Sequence, residues 1–225
     1  MNQQQNHSRS GTTRAATTTR ALREAILTLH LTPGTRLVER DLVSQLGVSR
    51  TGVRAALQAL ESEGLVVRGQ RGVFSVATVS ADEARQIYEV RAALEPAMAR
   101  WFIERANPAR IEALGNAVQR AEAAAHALDG PAYVEAFGTF YAVLLAGSGN
   151  EVARRVLDTL NARISYLRHL TTQRSALARQ LRTVGLLRGI HAAVQARAPA
   201  LAAKRCAAFV TRSARFALDV LAETA

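Results

Sequence analysis

Apolar residues recur along the chain with two periods, and the periods change at residue 65 and again near residue 80. Leu22, Ala25, Ile26 and Leu29 sit at helical spacing and predict a first helix of about 12–15 residues. Residues 1–14, before it, carry no period and read as a flexible tail. Thr32-Pro33-Gly34 closes the helix, and Leu37-Val38 is a short link. A second helix follows over Glu39–Leu46, with Leu42, Val43 and Leu46 facing inward and Gly47 as its C-terminal cap. Ser49 caps a third helix that buries Val53, Ala56, Leu57 and Leu60 and ends near Gly64. Leu65-Val66-Val67 and Val73-Phe74-Ser75-Val76 are β-rich runs around the polar turn Arg68-Gly69-Gln70-Arg71-Gly72, which reads as a hairpin. Helix, helix, tight turn, helix, hairpin is the order of a winged helix-turn-helix, here over residues 15–77.

From Ser80 the period is helical throughout. Helices are expected at about 81–106, 108–128, 131–146, 150–171, 175–197 and 199–222, with Asn107-Pro108, Asp129-Gly130-Pro131, Gly147-Ser148-Gly149-Asn150 and Pro199 as breaks. The fold class is therefore mainly α: a winged helix-turn-helix with a small β-hairpin wing, then an all-helical domain over residues 80–222.

Composition narrows the function. The 225 residues are 48% hydrophobic and 21% charged, ordinary for a folded chain. No apolar run is long enough to span a membrane, and the polar N-terminus lacks the apolar core of a secretory signal, which points to the cytoplasm. A single cysteine, Cys206, supports neither an internal disulfide nor a cysteine-rich zinc site. Twenty-nine basic against 18 acidic residues give +11, which calls for an anionic partner, nucleic acid first. The charge is uneven. Residues 1–76 hold ten Arg against five acids, 77–150 six against nine, and 151–225 thirteen basic residues against four acids. In the last segment the basic residues fall at many helical angles and read mostly as solvated faces.

The third helix leaves Arg50, Thr51 and Arg54 on its free side, Arg50 and Arg54 sharing one face. Arginine makes bidentate contacts to guanine in the major groove. Ser49 and Thr51 suit a phosphate at the helix N-terminus. Arg40 reaches in from the second helix. Arg68 and Arg71 bracket the hairpin tip, where Gly72 lets backbone approach a duplex closely. Nothing resembles a nucleotide loop, a nucleophile elbow or a zinc-protease motif, so catalysis is not expected.

The run Leu31-Thr-Pro-Gly-Thr-Arg-Leu37, then Glu39-Arg-Asp-Leu42, Leu46-Gly-Val-Ser-Arg-Thr-Gly-Val-Arg54, Glu63-Gly-Leu65 and Arg71-Gly72 resembles the GntR family of bacterial transcription factors. Tyr88-Glu-Val-Arg-Ala-Ala-Leu-Glu95 and Ser148-Gly-Asn150 resemble the FadR-type subgroup, whose helical FCD domain binds ligands. The chain departs from the family pattern at Gly52, where Pro is usual, and at Ala55, where Glu is usual. The resemblance implies a homodimer on an inverted-repeat, double-stranded operator, controlled by a small-molecule effector. The alternative is an architectural, nonspecific DNA-binding protein whose helical domain only dimerises.

Many FCD domains hold a divalent metal on one Asp and three His. On the matching positions this chain has Phe137, Tyr141, Leu187 and Phe209, which implies a pocket without metal or other cofactor. Arg91, Arg163 and His191 are the further pocket candidates, His191 lying one turn after Leu187. Arg91 and Glu95, four apart, either pair along their helix or leave Arg91 to meet an anionic effector. Such a lining favours a carboxylate with an apolar body.

Overall fold

The computed structural model describes residues 4–173 and 175–223 and divides into two compact units, residues 1–79 and 80–225. The first unit contains α1 (Gln4–Leu27), β1 (Arg36–Leu37), α2 (Glu39–Leu46), α3 (Arg50–Ser62), β2 (Val66–Arg68) and β3 (Phe74–Val76), with a short 3-10 turn over Gln70–Gly72. Its core is built from Leu22 and Ile26 of α1, Leu42 of α2, Val53, Ala56, Leu57 and Leu60 of α3, and Phe74 and Val76 of β3. Gly47 adopts φ 62°, the left-handed conformation that ends a helix at low cost in glycine, and its N–H donates to the Val43 carbonyl.

Three details differ from the sequence reading. The helix drawn as starting after a tail at residues 1–14 begins at Gln4; Gln, Arg and Ala extend a helix at little cost once its C-terminal half is packed, and only Met1–Gln3 of that stretch lie outside the described residues. The link at Leu37 is a strand. β1 pairs antiparallel with β3, Leu37 opposite Phe74, so the wing is a three-stranded sheet in the order β1-β3-β2. A two-residue strand is too short to announce itself by period. Leu46, expected inside, is 36% exposed, because Leu42 alone of α2 reaches the core fully.

The second unit is helical throughout: α4 (Ala81–Arg105), α5 (Pro108–His126), α6 (Gly130–Gly147), α7 (Glu151–Arg163), α8 (Ser165–Gln173), α9 (Leu177–Gln195) and α10 (Pro199–Ala222). Side chains cap four of them. Ser80 accepts from the Glu83 amide, Asn107 from Arg110, Asp129 from Ala132 and Asn150 from Ala153, each satisfying an amide that the first turn leaves unpaired. Proline opens α5, α6 and α10 in the first turn, where its missing N–H costs nothing. Helix α4 is central and packs against α10, α6 and α7; Met98, Phe102, Phe140, Leu144 and Phe209 fill the space between. At Gly147 a Cβ would come within 2.2 Å of the Phe102 ring, so this crossing requires glycine.

The single helix expected over 150–171 is two. The chain leaves helical geometry at Ile164, φ −97° and ψ 11°, and α8 starts at the next residue. Ile164 and Leu167 are both buried at this bend. Neither Pro nor Gly marks it, so tertiary packing overrides local propensity here.

Candidate functional sites

In the first unit the helix pair α2–α3 fixes one polar face. Ser49 Oγ accepts from the Gly52 amide at 3.2 Å and lies 3.0 Å from Thr51 Oγ1, which sets the start of α3. Gly52 supplies the N–H for this cap; the proline usual in the resembled family has none to give. The buried Val53, Ala56, Leu57 and Leu60 hold the opposite side of the helix in the core, so Arg50, Thr51 and Arg54 are exposed. Arg50 makes no hydrogen bond or ion pair among the described residues. Arg54 is tethered: its Nε donates to Glu39 Oε1 at 3.1 Å, which ties α3 back to the first turn of α2. Arg40 is exposed and pairs with Asp41 at 3.3 Å.

The wing tip closes by backbone bonds. The Gly69 N–H donates to the Val73 carbonyl at 2.8 Å and the Gly72 N–H to the Gly69 carbonyl at 3.1 Å. Gly72 has φ 76°, and a Cβ there would meet nothing within 4 Å, so the backbone at the tip is open to a close approach. Arg68 lies on β2 with its guanidinium 4.7 Å from the Phe74 ring centroid and 3.7 Å from Glu61. The Arg71 side chain lies outside what the structure describes.

In the second unit a buried polar cluster sits between α4 and α6. Arg91 Nε donates to Glu95 Oε1 at 2.5 Å, the Tyr141 hydroxyl donates to Glu95 Oε2 at 2.8 Å, and Arg91 reaches the Tyr141 oxygen at 3.3 Å. Arg91 and Glu95 are 2% and 0% exposed. Burial works against charge on Arg91, but the Glu95 carboxylate, together with the Tyr141 and Tyr88 phenols, more than offsets it, and the guanidinium stays firmly protonated. Burial, and after it the Glu95 charge, pushes the Tyr141 phenol well above its ordinary range. Arg91 thus pairs along its helix and also faces a cavity.

That cavity, of about 90 Å³, lies between α4, α6, α8, α9 and α10. Phe137 and Phe209 line it, their ring centroids 5.7 Å apart. Tyr141 stands behind them, 5.3 Å from Phe137 and 5.9 Å from Phe209. Three other expected pocket residues are elsewhere. Arg163 turns to Glu83 at the start of α4, because the bend at Ile164 separates it from the residues that follow. Leu187 is fully buried in the packed core and does not line the cavity. His191 belongs to another depression with Glu112, Asn116 and Arg197, where its ring lies against Gly115, close enough that a Cβ there would come within 2.8 Å.

The sequence reading missed the cations of the wall: Arg168 of α8, Arg179 of α9 and Arg212 of α10. All three lie in the strongly basic 151–225 segment, whose charge is the one signal that could have found them.

A divalent metal does not fit these residues. Phe137, Leu187 and Phe209 have no donor atom. The Tyr141 phenol is held protonated and already hydrogen-bonded, and Glu95 is engaged by two partners. Burial pushes the Cys206 thiol far above the range in which it ligates metals. Among the described residues no three His, Cys, Asp or Glu side chains gather into a ligand set.

Comparison with known proteins bears on both units. The bacterial regulatory proteins of the gntR family match residues 14–76, and the FCD domain matches residues 86–212. The chain is 28% identical to an uncharacterized HTH-type transcriptional regulator, YdhC, of Bacillus subtilis over 61% of this chain and 62% of that one. It is 28% identical to the Nta operon transcriptional regulator of Aminobacter aminovorans over 67% of this chain and 71% of that one. It is 35% identical to an uncharacterized HTH-type regulator of Agrobacterium vitis over 56% of this chain and 75% of that one. Among solved structures, E. coli McbR/YncC superposes with a TM-score of 0.79 at 19% identity, covering 94% of this chain and 98% of the other, a likeness of fold. No described helix is long and apolar enough to cross a membrane.

Proposed function

The chain belongs to the gntR family of bacterial regulatory proteins, a transcriptional regulator with an FCD domain and not an enzyme, and on that premise we propose that it reads an inverted-repeat operator as a homodimer and releases or grips it in response to a small molecule. The observation that carries the reading is the polar face of α3: a capped N-terminus, an unengaged Arg50 and a tethered Arg54. A helix with arginines projecting from its first turns fits the major groove, where guanine offers two acceptors to one guanidinium. Ser49 and Thr51 face the phosphates that flank the groove, and Arg40 and Arg68 add sequence-independent attraction. Two such heads on a two-fold axis match a palindrome.

The cavity in the helical unit is the effector site of this reading. A ligand acts by binding one arrangement of the two heads better than another and shifting their population, with a coupling equal to its preference.

The test is selection of duplexes from a random pool by the full chain, followed by footprinting of the winners. A pseudo-palindrome with protein bound as a dimer is expected. Recovery of no consensus sequence would leave an architectural, nonspecific binder as the better reading.

A further inference from the structure

Among the described residues the cavity wall holds four arginines, Arg91, Arg168, Arg179 and Arg212, and no aspartate or glutamate. Their situations differ. Arg91 is matched by Glu95 at 2.5 Å. Arg179 lies over the Phe216 ring, 3.5 Å from its centroid, and Arg212 is exposed at the rim. Arg168 is partly buried, and its guanidinium makes no hydrogen bond or ion pair among the described residues. It rests 5.2 Å from the Phe137 ring centroid, one of the residues standing where a metal ligand would be expected. Burial, and after it the like charge of Arg91, draws its proton affinity down from the ordinary arginine value.

A cation partly withdrawn from water beside another cation, feeling Glu95 only at a distance and paired with no acid among the described residues, is costly until an anion completes it. Guanidinium is the side chain best shaped to take an oxyanion in a two-pronged grip. Of the hydroxyls around the same space, Thr171, Ser175 and Thr183 donate to the carbonyls of Arg168, Thr171 and Arg179, and Ser213 keeps its proton for a ligand. A cavity of about 90 Å³ suits a compact ligand.

We propose that this cavity is a metal-independent receptor for a short dianion, one acid group docked on Arg168 beside Arg91 and the other on Arg179 and Arg212 at the rim. The inference rests on the effector reading above and names its ligand class. It revises the apolar-bodied carboxylate expected from sequence, because the wall carries three cations beyond the one that Glu95 neutralises. Two chemistries supply such a ligand, a short dicarboxylate and a phosphorylated carboxylate.

The experiment is isothermal titration of the full chain, in buffer with and without EDTA, using succinate, 3-phosphoglycerate and butyrate. Butyrate keeps one acid group and an apolar tail. At least tenfold tighter binding of succinate or 3-phosphoglycerate than of butyrate is expected, unchanged by EDTA; which of the two binds identifies the source. Arg168→Gln should weaken that binding at least tenfold, Arg168→Lys should recover part of it, and Arg163→Gln, outside the cavity, should leave it unchanged. Melting curves confirm that each variant is folded, and if Arg168→Gln is not, Arg168→Lys and Arg179→Gln carry the comparison. Binding of neither dianion, equal affinity for butyrate, loss of binding in EDTA, or undiminished binding by the folded Arg168 variants would each overturn the inference. Selection of operator DNA is independent of these titrations. A chain that selects a palindrome but binds no dianion loses only this inference, whereas one that selects no sequence loses the regulatory reading whatever its cavity binds.

Discussion

The two units use arginine in opposite ways. In residues 1–79, Arg40, Arg50 and Arg54 stand in solvent, and where they touch a carboxylate they do so across exposed pairs. In residues 80–223, Arg91 is sealed against Glu95 and Tyr141, and Arg168 is partly withdrawn and pairs with no acid among the described residues. An exposed arginine keeps its hydration until a phosphate or base displaces it, so it adds to binding without adding to folding. A buried one is a folding problem first. Arg91 is solved by Glu95 within the fold; Arg168 is left for something outside it. The same residue type therefore stands on a solvated face in one unit and in a partly buried wall in the other.

The sharpest way to break this contrast is to remove one acid from each unit. Glu95→Ala leaves the Arg91 guanidinium buried without its carboxylate and the Tyr141 hydroxyl without its acceptor, and should cost about 3–5 kcal/mol of unfolding free energy. Glu39→Ala removes the partner of Arg54, whose side chain is 65% exposed, and should cost less than about 1 kcal/mol. Urea unfolding of both variants at one pH measures the difference. Equal losses would show that the Arg91–Glu95 pair is solvated in solution and that the contrast between the units is false.

Next in size are the effects on DNA. Arg50→Ala and Arg54→Ala should each cost about 1–3 kcal/mol of operator affinity at one base position while leaving the melting temperature unchanged. Glu39 discriminates between them: Glu39→Ala should change how strictly the Arg54 position is read and leave the Arg50 position alone, since only Arg54 is tethered to it. Binding measured against a set of single-base operator variants checks both. Parent-like affinity in both arginine variants would exclude α3 as the reader.

Local signals made the first unit legible. The glycine that ends α2, the serine that caps α3 and the four buried positions of α3 are all set by neighbours within a few residues, and α2 runs over the span its pattern predicts. What escaped there was tertiary: β1 exists only because β3 lies beside it, and Leu46 stays out because α2 meets the core through Leu42. The second unit's helices were legible from their caps and prolines, apart from the bend at Ile164. Its cavity was not. The wall draws two to four residues from each of five helices, and which face of each helix turns inward depends on crossings that no period encodes. Leu187 and His191 lie one turn apart on α9 yet face different surroundings, the packed core and a separate depression. The bend at Ile164, unmarked by Pro or Gly, sends Arg163 to Glu83 and leaves Arg168 at the cavity.

A smaller effect tests the local side of this account. Ser49→Ala removes the acceptor of the Gly52 amide and should destabilise the first unit by about 1 kcal/mol. The loss should appear equally in denaturant melts with and without DNA unless Ser49 also meets phosphate, in which case operator affinity falls further than stability. A Ser49→Asp variant keeps the cap acceptor but adds a negative charge, and separates the two: stability recovers, and affinity for the polyanion does not.

The smallest effect concerns His191, an expected pocket residue that the fold sends to a different depression. Its Nε2 is buried without a hydrogen-bond partner, and the ring lies against Gly115. Burial lowers its pKa below the ordinary 6.5, a backbone hydrogen bond at Ile111 pulling weakly the other way. The folded chain therefore holds fewer protons at this site than the unfolded chain in the window just below 6.5. Stability contributed by the neutral ring is complete above that pH, falls as pH drops through it, and levels off below the folded pKa. Subtracting the urea-unfolding free energies of His191→Gln from those of the parent, from about pH 7.5 down to about pH 5, should leave a curve that declines with acid with a slope of less than one proton. Glu112 and Arg197 share the depression and are unchanged in both proteins, so the difference isolates the ring. A flat difference would mean that the imidazole titrates alike folded and unfolded, and that its buried Nε2 finds water in solution.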